Sequence, residues 1–317
     1  MKDSSKRVID YMRVSITDRC NLRCGYCVPE NPAYIPHEQI LRYEEILRIC
    51  DIMAGLGIRT VKVTGGEPLV RKDVPDFIGK LKKIPGIENV SLTTNGVLLE
   101  PYVDTLAAIG LSGVNISLDA VRPETYKRLT GRDEFDRVWR SLTKALEAGL
   151  RVKINCVPVK GLNCDEIIPI ARLAGEFPVD VRFIELMPAG RDLQGVAGPE
   201  IIDILKREFP DLSADCSPRG FGPARYFKSS ALKGGIGLID AVSAHFCGRC
   251  NRLRLTSEGF LKLCLHHSGG VDLRALLREG ADDSEIREKI TAAVRDKPER
   301  HFLDGGGEID RMNRIGG

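Results

Sequence analysis

Three cysteines fall within eight residues in Cys20-Asn21-Leu22-Arg23-Cys24-Gly25-Tyr26-Cys27, a C-x3-C-x2-C spacing. Thiolates grouped this closely can cover one face of an inorganic cluster, and cysteine is the usual ligand of a four-iron cube. A cube held at three corners leaves one iron open to a substrate or cofactor, as catalytic metal sites require. A zinc ion with a distant fourth ligand would use the same three residues. A second group, Cys247-Gly248-Arg249-Cys250 followed by Cys264, gives C-x2-C-x13-C. His266 or His267 would complete a Cys3His zinc site there; otherwise the trio suits a second cluster with one open iron. Between these ligands lies Asn251-Arg252-Leu253-Arg254-Leu255. On a strand, Arg252 and Arg254 share a face. Two guanidiniums beside a metal site attract phosphate or carboxylate, although alternating charges also make an ordinary solvated strand.

The rest of the composition limits the partners. The chain has 317 residues, with Lys+Arg 47 against Asp+Glu 44 and a net charge of +3. So small an excess argues against a nucleic-acid binder. No apolar run approaches the roughly 18–20 residues that span a bilayer, and the start leads into no signal-like segment. These features predict a cytoplasmic protein, where disulfides are rare and grouped thiols point to metal. Cys50, Cys156, Cys164 and Cys216 belong to neither group, and a buried cysteine is commonly just a small hydrophobe.

Positioning these groups requires a scaffold. Strand-like segments at 12–17, 60–63, 89–92, 113–118, 152–159 and 181–186 alternate with helix-like segments at 43–56, 74–83, 99–109, 133–148, 165–177 and 199–209. The strands are rich in Val and Ile and read as lacking strict alternation, as in a parallel sheet buried on both faces. Six βα units predict an α/β fold, a partial (βα)6 TIM-type barrel, with an open doubly wound sheet as the rival. Residues 1–210 would form the barrel. Residues 211–317 would form a C-terminal region closing it, with helices at 273–277 and 284–297 and a Gly-Gly tail.

Further motifs follow the strands. Thr64-Gly65-Gly66-Glu67-Pro68 follows the second, Thr93-Thr94-Asn95-Gly96 the third, Asn115-Ile116-Ser117-Leu118-Asp119 ends the fourth, and Glu185-Leu186-Met187-Pro188 ends the sixth. Singly they are weak, since Thr-Asn-Gly is usually a turn. Together they mark the C-terminal strand edges, where α/β folds bind ligands.

The C-x3-C-x2-C run with an aromatic before its last cysteine, followed by Gly-Gly-Glu-Pro, resembles the radical S-adenosylmethionine (SAM) superfamily. With the run from Tyr11 to Cys20, the Cys-x-x-Cys-Asn-Arg-x-Arg segment and its later Cys, Lys297-Pro298-x-x-His301 and the terminal Gly-Gly, nearly the whole chain resembles the GTP 3′,8-cyclase family of molybdenum-cofactor biosynthesis. That resemblance implies two [4Fe–4S] clusters, a SAM-binding one on Cys20, Cys24 and Cys27 and an auxiliary one on Cys247, Cys250 and Cys264. It places SAM against Tyr26, Gly66, Ser117 and Met187, and GTP against Arg13, Thr93, Lys153, Arg252 and Arg254. Lys62 stands where many relatives carry Arg, keeping the charge without the bidentate fork.

The implied reaction uses a 5′-deoxyadenosyl radical to take the ribose 3′ hydrogen of GTP. C3′ then adds to guanine C8 to give 3′,8-cyclo-7,8-dihydro-GTP. No side chain is assigned a catalytic role, because SAM and the clusters carry the chemistry. The absence of a G-x-x-x-x-G-K-[ST] loop agrees with a GTP that is not hydrolysed. The implied partners are GTP, an electron donor and a downstream cyclic pyranopterin monophosphate synthase, with no nucleic acid or membrane, in a monomer or homodimer. The competing readings are another radical SAM enzyme with an auxiliary cluster, such as a peptide maturase, and a non-enzymatic zinc-binding protein.

Overall fold

A computed structural model describes residues 1–28, 32–187, 193–244, 246–300 and 315. Pro188, His301 and the terminal Gly316 and Gly317 lie outside the described residues. Six strands lie side by side in chain order: β1 (Tyr11–Ser15), β2 (Thr60–Thr64), β3 (Asn89–Thr94), β4 (Gly113–Ser117), β5 (Val152–Cys156) and β6 (Asp180–Ile184). All five pairings between them are parallel. Between successive strands run α1 (Tyr43–Gly55), α2 (Val74–Lys82), α3 (Val103–Ala108), α4 (Pro123–Thr130) with α5 (Phe135–Glu147), and α6 (Ile167–Glu176), with α7 (Gly198–Glu208) after β6. A doubly wound sheet reverses its strand order at a switch point. The unbroken order here has no reversal, so the architecture is that of the partial barrel.

The C-terminal region adds to both edges of this sheet. β7 (Ser213–Asp215), β8 (Arg225–Lys228) and β9 (Ile236–Ile239) extend it beyond β6, and β10 (Arg252–Leu255), β11 (Phe260–Lys262) and β12 (Gly270–Asp272) extend it beyond β1. Helices α8 (Leu273–Arg278) and α9 (Asp283–Arg295) follow. Among the described residues no strand pairing joins β7 to β12. No described helix is long and apolar enough to cross a membrane.

The expected lack of alternation is corrected by the structure. In β1 the apolar Met12 and Val14 are fully buried in the core, while Arg13 between them lines an interior cavity. The same division separates Val61 and Val63 from Lys62, Val114 and Ile116 from Asn115, and Val181 and Phe183 from Arg182. Each outward Val, Leu, Ile or Phe gains about 1.5–3 kcal/mol by burial. That gain fixes the register and leaves the inward positions to polar side chains. A common TIM barrel fills its interior with branched apolar residues; this one keeps a polar chamber there.

Helix α4 was not anticipated. It is short, opening with Pro123 in its first turn and closing on Gly131 at φ 67°, the left-handed stop that glycine accepts. Its last carbonyls lack partners within the helix. Those of Thr130 and Leu129 accept instead from the N–H groups of Arg23 (2.8 Å) and Gly25 (3.3 Å). The helix thereby holds the first cysteine loop.

Candidate active site

The first cysteine loop leaves the end of β1 and is gripped by its neighbours. A Cβ on Gly65 would lie 2.7 Å from the Thr17 carbonyl oxygen, and one on Gly66 2.4 Å from that of Arg19. Only glycine permits so close an approach. It lets Gly66 N donate to Thr17 O (2.7 Å) and Glu67 N to Arg19 O (2.8 Å), just before Cys20. The fully buried Glu67 carboxylate accepts from Leu69 N (3.0 Å), Thr94 Oγ1 (2.8 Å) and Asn95 N (2.6 Å). Burial pushes its pKa up to about 7 despite these donors. Asn95 Nδ2 in turn donates to Asn21 Oδ1 (2.8 Å) and approaches Cys20 Sγ at 3.7 Å. Gly-Gly-Glu-Pro and Thr-Asn-Gly are thus parts of one brace around the first cysteine.

On the other side of the loop, Tyr26 reaches Asp119 at the end of β4, and burial pushes that carboxyl up to about 6. Burial also raises the Cys20 and Cys24 thiols, Cys24 further through Asp119, Cys27 and Cys20.

The second group is brought to the first by strand pairing. Cys247–Arg249 form a single 3-10 turn, and the chain then enters β10, which pairs in parallel with β1 and sets Arg252 beside Tyr11 and Arg254 beside Arg13. All six cysteines consequently line one cavity of about 300 Å³. Tyr26, Gly66, Ser117, Met187, Arg13, Thr93, Arg252 and Arg254 line it too. None of the ten cysteines forms a disulfide. Among the described residues, no three His, Cys, Asp or Glu side chains converge on a position for a single metal ion. A zinc ion needs every sulfur at about 2.3 Å, whereas a cube spreads its thiolates over different irons.

Lys62 and Lys153 lie in an adjoining cavity of about 180 Å³, also lined by Arg151, Arg182 and Arg219. Arg13, Thr93, Asn155 and Arg252 line both cavities. Among the described residues, no carboxylate lines the second one. Burial first, then Arg182, Arg13, Lys153 and Arg252, push the Lys62 pKa well down. Burial also lowers Arg13 to about 10. Such a chamber is relieved by an anion of several charges. Asp180 borders it, with oxygens 2.8 Å from Lys153 Nζ and 2.7 Å from Arg219 Nη1. Arg182 escaped the sequence reading. The signal was present in Val181-Arg182-Phe183, whose alternation puts Arg182 in register with Asn155 on the inner face.

A partial barrel with this cysteine loop after its first strand and a glycine brace after its second defines a radical SAM enzyme, which carries SAM and an iron–sulfur cluster. The Radical SAM superfamily model matches residues 14–174, and the Molybdenum Cofactor Synthesis C model matches residues 179–303. Among curated relatives named GTP 3′,8-cyclase, the chain is 45% identical to that of Desulforamulus reducens and 46% identical to that of Heliobacterium modesticaldum, with 100% of both chains covered in each case. It is 45% identical to that of Clostridium perfringens over 95% of this chain and 94% of the relative. The chain belongs to the GTP 3′,8-cyclase family. Among solved structures, Streptococcus suis SuiB shares the fold, with a TM-score of 0.65 at 15% identity over 95% of this chain and 67% of SuiB.

Proposed function

We propose that the chain converts GTP into 3′,8-cyclo-7,8-dihydro-GTP, the first step of molybdenum-cofactor biosynthesis, in the chamber between its two cysteine trios. The observation that carries this reading is the single cavity lined by all six cysteines, continuous in its lining with a cationic one. When bound, SAM and its reduced cluster supply a carbon radical able to take the ribose 3′ hydrogen of GTP.

The protein's own residues hold and orient. Cys20, Cys24 and Cys27 hold the SAM-binding cluster, and Tyr26, Gly66, Ser117 and Met187 flank SAM. Cys247, Cys250 and Cys264 would hold an auxiliary cluster, which would supply an iron to anchor the guanine. Arg13, Lys62, Thr93, Lys153, Arg252 and Arg254 hold the nucleotide, and Arg182 joins them from the same inner face. A triphosphate, near −4, meets separate Lys and Arg side chains in place of a phosphate loop. Residues 1–210 act as the barrel and 211–317 as the region bringing the auxiliary cluster over it. An electron donor reduces the clusters, and a cyclic pyranopterin monophosphate synthase consumes the product.

Anaerobic turnover with SAM, dithionite and GTP deuterated at C3′ tests the reading. Deuterium should pass into 5′-deoxyadenosine as an isomer of GTP accumulates. Unlabelled 5′-deoxyadenosine with unchanged GTP would contradict it.

A further inference from the structure

We propose that Lys297 is the buried counter-charge of the second cysteine trio and raises the reduction potential of the cluster held there. The inference rests on the auxiliary-cluster reading above.

Lys297 is only 3% exposed and lines the cavity that holds Cys247, Cys250 and Cys264. Its Nζ donates to the carbonyl of Arg252 at 3.0 Å and to that of Leu263. Arg252 stands two residues after Cys250 and Leu263 immediately before Cys264. One amine thus ties together the two halves of the trio. Both partners are neutral, so neither cancels its charge. A buried ammonium without a counter-ion costs several kcal/mol. Burial works against its charge, and among the described residues Cys250 and Cys264, ahead of Asp3, are the acidic groups that favour it most.

A second cation fixes the position. Arg7 donates through Nη2 to the carbonyls of Lys297 (3.3 Å) and Pro298 (2.7 Å), and through Nη1 to those of Cys247 (2.9 Å) and Glu299 (2.9 Å). Its own charge is met by Asp3 at 2.6 Å, with both side chains buried. Arg7 therefore clasps the segment that carries Lys297 against the first cysteine of the trio, and Lys297 supplies a charge that no ion pair among the described residues cancels. Reduction adds an electron to a cluster already made anionic by three thiolates. A fixed positive charge in a low-dielectric wall favours that reduced form.

The test compares Lys297→Met and Lys297→Arg with the parent enzyme, each reconstituted anaerobically and titrated redox-wise by electron paramagnetic resonance. The C-terminal cluster's signal is the one that persists when Cys20, Cys24 and Cys27 are replaced by alanine. Lys297→Met should shift that midpoint downward and leave the N-terminal cluster unmoved, while Lys297→Arg stays near the parent value. Selective loss of the C-terminal cluster in Lys297→Met with retention in Lys297→Arg would also support the charge pairing. An unchanged midpoint in Lys297→Met, or loss of the cluster in both variants, would overturn it. A parent enzyme holding about four irons in place of about eight would instead sink the auxiliary-cluster reading itself.

Discussion

Tyr26 donates a 2.5 Å hydrogen bond from its hydroxyl to Asp119 Oδ2, while Asp119 Oδ1 accepts from Val157 N at 2.7 Å. The cysteine loop after β1 is thereby moored to the ends of β4 and β5, on the far side of the chamber. Removing the donor leaves a buried carboxyl short of a partner, which costs about 1–3 kcal/mol. Tyr26→Phe should speed iron loss from the N-terminal cluster to a chelator by roughly tenfold or more. Parent-like release would show that the mooring does not hold the loop.

Glu67 makes the protein without its clusters sensitive to pH. Burial raises its folded pKa from 4.5 to about 7, so the folded state binds a proton more tightly than the unfolded one. The associated stability is fully present below about 4.5 and is lost as pH rises through about 7. Relative to Glu67→Gln, which cannot titrate, the parent should gain about 2 kcal/mol between pH 8 and pH 5. Urea denaturation of both proteins at the two pH values measures this. A constant gap would mean that Glu67 titrates at its ordinary value.

The two trios should fail differently. Cys24→Ser should abolish SAM cleavage altogether. Cys250→Ser should retain uncoupled cleavage to 5′-deoxyadenosine while losing GTP conversion. Normal cyclisation by Cys250→Ser would remove the auxiliary cluster from the role of substrate anchor.

The inner-face cations should discriminate between ligands. Arg182→Ala and Arg254→Ala should each weaken GTP binding about 10- to 100-fold, matching the 1.5–3 kcal/mol of a hydrogen bond to a charged group. SAM affinity should change little in either. Calorimetry with each ligand separates the cases, and equal losses of both would contradict the assignment.

The two cysteine groups were legible from spacing, whereas the residues facing SAM and GTP came from the resemblance to the family. The two cysteine groups, the Gly-Gly-Glu-Pro loop and the order of βα units depend on local sequence, and the strand register then places them in one cavity. What escaped was non-local. The inward aim of Arg182 follows from Val181 and Phe183 packing outward, a division that a Val- and Ile-rich strand does not declare by composition. Asp180 sits at the start of a strand, and nothing near it in sequence foretells that it bridges Lys153 and Arg219. The glycine pair packs against the backbone atoms of Thr17 and Arg19, a contact that the Gly-Gly-Glu-Pro sequence by itself does not foretell. Helix α4 was lost because eight residues give too little periodicity. The Arg7 clasp joins residues 240 or more positions apart, beyond the reach of any local pattern.

The central claim is that each trio holds its own cluster and that the two clusters divide the ligands. Electron paramagnetic resonance on two full-length variants tests it most directly, one with Cys20, Cys24 and Cys27 changed to alanine and one with Cys247, Cys250 and Cys264 changed. GTP should alter the spectrum of the first and not the second, and SAM that of the second and not the first. A spectrum in the first variant indifferent to GTP, or no cluster signal from it at all, would contradict the account.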